Sequence, residues 1–316
     1  MSSRKEKLDE ITDRLEEGVR DIFESGKYEE YLKVMSKFHR YSFRNTILIA
    51  MQNPDATMVA GFLAWRKNFG RYVKRGEKAI TILAPSPYKV KREVEDPADK
   101  AVKEEEIVIN AFRPAYVFDV SQTEGKPLPE LASDIYGAVE GYGDLMKALE
   151  EASPVPVNFE KMAGKDGYYS QTAKQIFLRD DMSEVQTVAA AVHEISHAML
   201  HDLDMDNVKE SMKERGKDRH TMEVEAESVA YAVSQYFGIE TGENSFGYIA
   251  SWSKDKELPE LFSSLETIRS TADTLIQKTE ASLDRQKEAR GIVPEERLMA
   301  VMEPSFYLPN ERENER

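Results

Sequence analysis

The sequence predicts an α+β protein of two domains, residues 1–125 and 126–316, on three observations. Its 316 residues suffice for two hydrophobic cores. Its charge is divided along the chain: between Tyr31 and Arg92 there are 13 Lys and Arg against two acids, Asp55 and Glu77, although the formal net charge of the whole is −15. The segment Ser121–Pro129 is polar and carries Gly125, Pro127 and Pro129, the composition of a linker.

The elements follow from periodicity and breakers. Residues 5–25 have helical spacing with heavy charge, residues 27–36 form a second short helix, and Tyr41–Met51 forms a third that stops before Asn53-Pro54. A helical Phe62–Lys67 precedes a short strand and turn in Gly70-Arg-Tyr-Val-Lys-Arg-Gly76. Ala79–Ala84 is a strand stopped by Pro85, and residues 93–106, charged and Pro-containing, read as an exposed loop. Strands resume at 107–110 and 115–120. In the second half, helices are expected at 130–140 and 142–150, and a hairpin over 167–179. Ser183 and Gln186 have capping-box spacing ahead of an apolar helix to about Leu203. A polar loop at 204–219 leads to a helix, Met222–Phe237, closed by Gly238, and residues 254–292 form a long charged helix before a loose tail.

Composition excludes several chemistries. With no cysteine there are no disulfides, thiolate clusters or thiol nucleophiles, so a metal must be held by His and carboxylates. The charged N-terminus lacks the apolar core of a secretory signal, and no apolar run reaches the length of a membrane span. The expectation is a cytoplasmic protein with no membrane partner.

The chemistry centres on His193-Glu-Ile-Ser-His197, an H-E-x-x-H motif on the apolar helix. At i,i+4 two imidazoles lie on one face about 6 Å apart, within reach of one metal ion, with Glu194 beside them as general base. The metal expected is zinc, one per chain, polarising a scissile carbonyl and acidifying water. A third ligand is required if one position is to stay open. The helix carrying Glu223-Val-Glu225-Ala-Glu227 supplies three choices and His220 a fourth: Glu223 leads, Glu225 is the alternative, and Glu227 is placed to hydrogen-bond a ligand imidazole. Tyr168 and Tyr169 are candidates to border a substrate cleft, where an edge strand can pair with a peptide; Tyr248 is a possible hydrogen-bond donor to a reaction intermediate.

In the basic half, Arg71, Lys74, Arg75 and Lys78 bracket a glycine-containing turn and, with Arg44, Arg66 and Lys67, could follow a phosphate backbone. Tyr41, Phe43, Trp65, Phe69 and Tyr72 offer faces on which unpaired bases could stack, the pattern of single-stranded-DNA binding. The other reading of the same residues is that the aromatics are core and the basic patch docks on the acidic half. Phosphodiester hydrolysis is disfavoured because an acidic field repels DNA from the histidine motif, so a polypeptide is the expected substrate.

HEISHAML followed, 26 residues after His197, by EVEAESVAYAV resembles the zincin superfamily. Over residues 5–260 the chain resembles the ArdC-type antirestriction proteins of mobile elements, through Tyr41-Ser-Phe-Arg-Asn45, Gly61-Phe-Leu-Ala-Trp65, Gly70–Lys78 and Phe246–Trp252. That resemblance implies an N-terminal single-stranded-DNA-binding domain, a C-terminal zinc-dependent metalloendopeptidase domain, and protection of incoming plasmid DNA from restriction. Two alternatives stay open: a DNA-coating protein with a structural or inactive metal site, and a regulatory protease that cleaves a repressor.

Overall fold

Apolar residues at helical spacing draw the first three helices together. The computed structural model describes residues 4–95, 102–128, 141–200, 218–239, 246 and 249–291. Helix α1 (Arg4–Glu24) buries Ile11, Leu15, Val19 and Ile22, one stripe of an otherwise charged rod. Helix α2 (Tyr28–Lys37) buries Tyr28, Tyr31, Leu32 and Met35. Helix α3 (Phe43–Gln52) starts at Ser42, whose side chain accepts from the Asn45 backbone N–H.

Three antiparallel strands follow in the order β1–β6–β3: β1 (Val59–Gly61), β6 (Phe112–Asp119) and β3 (Ile80–Pro85). The outer edge of β3 is not bare. The Asn45 amide accepts from Leu83 N at 2.8 Å and donates to Leu83 O at 2.9 Å, while Gln52 pairs with Thr81 N and O, both at 2.9 Å. Two side-chain amides on α3 thus stand in for a neighbouring strand and satisfy an edge that would otherwise recruit one. Helix α4 (Phe62–Phe69) drives Trp65 into the interior, where its indole N–H donates to Phe118 O at 2.9 Å.

The start of the expected linker is instead a strand: β2 (Arg71–Val73) pairs with β7 (Thr123–Gly125), so the Ser121–Pro129 segment is built into the N-terminal half as far as Gly125. Buried Asp119 organises this join, accepting from the backbone N–H groups of Thr57, Met58 and Ser121. Gly125 has φ 137, and a Cβ there would lie 2.7 Å from Gly70 O, so the close pairing requires glycine.

The charged segment expected as a loop at 93–106 belongs largely to a hairpin of β4 (Tyr88–Glu95) and β5 (Val102–Ile109). Its register places Lys91 opposite Glu106 and Arg92 opposite Glu105, and a Lys89–Glu106 ion pair of 2.9 Å closes its base. Cross-strand opposite charges suit a strand with solvent on both faces. Composition alone reads such a strand as a loop.

In the second half, α5 (Tyr142–Ala152) precedes a sheet of order β8–β10–β9, made of β8 (Val157–Glu160), β9 (Gly167–Ser170) and β10 (Gln175–Arg179); β10 is parallel to β8 and antiparallel to β9. Helix α6 (Glu184–Leu200) begins on the reciprocal Ser183–Gln186 box, with Gln186 N donating to Ser183 Oγ and Ser183 N to Gln186 Oε1. Helix α7 (Arg219–Tyr236) is capped by Asp218, and α8 (Ile249–Ser253) and the long α9 (Leu258–Ala289) complete the bundle. The helix expected at 130–140 and the tail after 291 lie outside the described residues.

One apolar core runs from Ile11, Val19, Tyr28 and Ile47 through Leu149, Val192, Val229 and Trp252 to Leu265 and Leu275. It crosses residue 125. A smaller cluster of Val34, Phe38, Tyr41, Val59, Ile80, Ile82 and Val117 lies under the first sheet. The fold is mixed α+β with distinct N- and C-terminal regions. Among the described residues no helix is long and apolar enough to cross a membrane.

Candidate metal centre

Helix α6 buries Val188, Ala191, Val192, Ile195 and Ala198 and turns His193 and His197 toward α7. The two rings meet edge to face, with 3.1 Å between their Nε2 atoms. Glu223, in the second turn of α7, brings Oε2 to 3.3 Å from His197 Nε2 and 3.9 Å from His193 Nε2. One ligand atom from each of the three residues lies within 4.8 Å of the other two, the single such group of His and carboxylate donors among the described residues.

The electrostatics favour donors over cations. Burial, and then its neighbour His197, lower the His193 pKa to about 4, against the pull of Glu223; burial, and then Arg219, lower that of His197 to about 4. Both imidazoles are therefore neutral at pH 7. Their contacts with Glu223 are thus not ion pairs, and the neutral imidazole is the form that ligates a metal. This donor set fits a divalent cation.

Glu194 lies to the side of this group, beneath β9. Ile176 and Leu178 of β10 are buried, and the alternation of the hairpin places Tyr169 and Gly167 on the same face, toward α6. The Tyr169 backbone N–H donates to the Glu194 carboxylate. Burial nevertheless raises the Glu194 pKa to about 7; Glu223 adds to the rise, while Lys165 works against it. A Cβ on Gly167 would lie 3.2 Å from Glu194 Cγ and 2.9 Å from Leu178 Cδ2, so glycine sets how closely the strand approaches the acid. Nothing in the sequence motif singles out Lys165 or Arg219, and Gly167 is marked only as a glycine that opens a strand.

The other expected site residues fall in several places. Glu225 is fully buried in the packing face of α7 and is not in the three-donor group. Glu227, one turn beyond Glu223, has its carboxyl pKa raised by burial and then by Glu223. Tyr168 is on the opposite face of β9 from Glu194, stacked on Phe177 at 5.1 Å, donating to Glu160 Oε1 and covered by Lys165 Nζ 3.6 Å from its ring centre. Strand β9 is the edge of its sheet. Tyr248 lies outside the described residues.

The expected DNA contacts divide sharply. Tyr41, Phe43 and Trp65 are core side chains: Tyr41 packs edge-on to Phe38, Phe43 lies against Phe262, and Trp65 is wholly buried. None can stack on a base without leaving the interior, which corrects that expectation. Arg44 lies over the Phe43 and Phe262 rings. Arg71 is spent on Thr123 Oγ1, Thr123 O and Lys126 O, and Lys74 on Ser121 O, all of which fasten the β2–β7 join. Tyr72, Lys67, Arg75 and Lys78 remain exposed, as do Phe62, Tyr88, Phe112 and Tyr116.

Two helix-borne imidazoles, a carboxylate from the next helix and a buried glutamate beside an edge strand define a metallopeptidase-like fold. Residues 111–287, over half of the chain, match the family described as "Putative metallopeptidase family (DUF6782)", and the chain belongs to it. Residues 2–118 match the family described as the N-terminal domain of anti-restriction factor ArdC, so that segment of the chain is ArdC-like. Uncharacterized protein pXO2-81 of Bacillus anthracis is 28% identical over 90% of this chain, which spans about half (54%) of that relative. The crystal structure of antirestriction protein ArdC from plasmid R388 is similar in its metal-free form (19% identity, TM-score 0.49, covering 76% of this chain and 86% of that one) and its Mn(II)-bound form (18%, 0.46, 76% and 85%).

The expectation of zinc in particular is corrected to a divalent cation of unspecified identity, and Mn(II) is the ion that the R388 ArdC protein holds in its own crystal structure. Two imidazoles and a carboxylate, with no thiolate, accept several first-row divalent ions, so the donor set alone does not name the metal.

Proposed function

We propose that the chain protects incoming DNA by binding its single strand through residues 1–125, while residues 126–316 hold a divalent cation on His193, His197 and Glu223 and cleave a polypeptide in the cytoplasm. The convergence of the three donors beside Glu194 carries the metal half of this reading. A bound divalent cation would supply Lewis-acid polarisation of a scissile carbonyl. Glu194, whose proton affinity is matched to neutral pH, takes a proton from the attacking water and passes it to the leaving amine. Strand β9 offers an edge for an extended peptide. The basic stretch 31–92 and the exposed Tyr72, Lys67, Arg75 and Lys78 support the DNA half.

A second reading is favoured by the burial of Glu194 and its engagement by the Tyr169 amide: the metal is structural, and protection comes from coating DNA. Glu194→Gln separates the two. If it abolishes antirestriction in a transfer assay while Mn(II) and oligonucleotide binding persist, catalysis is required. If protection is unchanged, the coating reading holds.

A further inference from the structure

The metal centre is matched to a family segment, residues 111–287, yet the helix that carries Glu223 is held in part by side chains outside it. Helices α6 and α7 pack against each other, and their buried apolar residues belong to one core, which gives contacts that are non-directional. Such contacts keep two helices together without fixing how far one slides or rolls on the other.

Directional bonds reach α7 from two sides: from within the family segment Trp252 Nε1 donates to Thr221 Oγ1 at 3.1 Å and Tyr236 Oη to Glu280 Oε1 at 2.6 Å, and α2 supplies two more between them. Tyr28 Oη lies 2.8 Å from Ser228 Oγ, a buried contact, and Tyr231 Oη donates to Glu29 Oε1 at 2.9 Å. The two α2 residues are consecutive, and their partners lie about one and two turns beyond Glu223 on the same helix. Tyr28 is itself locked between Phe23, 5.2 Å away and stacked, and Phe246, 5.4 Å away and edge-on. Phe246 also meets the Tyr231 ring at 5.5 Å, so both tyrosines share one aromatic clamp.

We infer that Tyr28, with the Glu29–Tyr231 bond, is a positioning device for the metal centre: the N-terminal half shares with α8 and α9 in fixing the axial position of α7 and thereby the reach of Glu223 to His193 and His197. This rests on the metal reading above. The metal site is then not self-contained within residues 111–287.

The test is Mn(II) binding to the full-length chain, followed by the EPR signal of free ion. The double variant Tyr28→Phe/Tyr231→Phe keeps both rings and removes both hydroxyls; Ser228 Oγ retains its bond to Val224 O and Glu29 its contact with Lys33. We expect its Mn(II) affinity to fall roughly tenfold, the scale of an outer hydrogen-bond partner. Tyr31→Phe is the control, because Tyr31 is equally buried but bonds Thr46 of α3 and not α7. It should stay within twofold of wild type, whereas a merely structural loss would move both alike. The inference is overturned if the double variant binds Mn(II) like wild type, or if Tyr31→Phe loses as much. Glu223→Gln calibrates the assay: if the wild-type chain binds no Mn(II), or if this variant binds it unchanged, the metal reading itself falls and this inference with it.

Discussion

His193 and His197 meet through their Nε2 atoms at 3.1 Å, and burial keeps both rings neutral far below the usual histidine range. A ligand that need not shed a proton binds metal independently of pH. With both pKa values lowered to about 4, and in a Glu194→Gln background that removes the neighbouring acid titrating near 7, Mn(II) affinity should be flat from pH 8 to about 6 and fall only as pH drops toward 4. Ordinary imidazoles would begin to lose affinity below about pH 7. Titration with Mn(II) across this range distinguishes the two.

The same groups fix how the metal-free protein responds to acid. Between about pH 4.5 and 6.5 the unfolded chain protonates both histidines while the folded chain does not, so they cost stability as pH falls. Glu194, raised to about 7, acts oppositely: the folded chain holds its proton where the unfolded chain has lost it, a contribution lost as pH rises toward 7. Glu194→Gln removes that opposition. Its unfolding free energy in EDTA should therefore depend on pH more steeply than wild type by about one proton, or about 1.4 kcal/mol per pH unit. Urea denaturation at pH 5, 5.5 and 6 measures the difference.

Gly167→Ala introduces a methyl group against Leu178 and Glu194. Overpacking at this site should cost about 1–3 kcal/mol. Because Glu194 is not among the three donors, Mn(II) affinity should change little. Thermal unfolding together with Mn(II) titration reads both; a large loss of metal affinity at unchanged stability would contradict the placement of Glu194 outside the ligand set.

Asn45→Ala strips Leu83 of both partners at the β3 edge. Each unpaired backbone group costs about 1–3 kcal/mol, so this one surface-remote change should be among the more destabilising in the N-terminal half. Chemical denaturation tests it, and a loss below about 1 kcal/mol would mean that the amide is not pinning the strand.

The continuous core predicts one unfolding transition. The chain has two tryptophans, Trp65 in the N-terminal half and Trp252 in the C-terminal half. Trp65→Phe and Trp252→Phe each leave a single reporter. If coincidence is preserved between fluorescence and circular dichroism within each variant, the halves unfold together; separated midpoints would show two independent units.

Local chemistry was readable in the sequence and distant pairing was not. The Ser183–Gln186 box and the i,i+4 spacing of the histidines are set within one helix turn, and the hairpin at 167–179 within a dozen residues. Choosing among Glu223, Glu225 and Glu227 requires the rotation of α7 on α6, which only packing supplies; it buries Glu225 and turns Glu223 to the rings. Tyr41-Ser-Phe-Arg-Asn45 shows the same limit. Read as aromatic and basic, it resembles a nucleic-acid face, but Ser42 caps α3, Phe43 enters the core and Asn45 binds a strand 38 residues away. Strand β4 and the first half of β5 were missed because their partners, such as Glu106 opposite Lys91, lie across the hairpin and not along the sequence.

The most direct test of the metal centre is the stoichiometry of Mn(II) binding to the wild-type chain and to His193→Ala/His197→Ala/Glu223→Gln. The account predicts one ion per wild-type chain and none on the folded triple variant. An ion retained by the variant at the same affinity would place the metal elsewhere and contradict the centre built from these three residues.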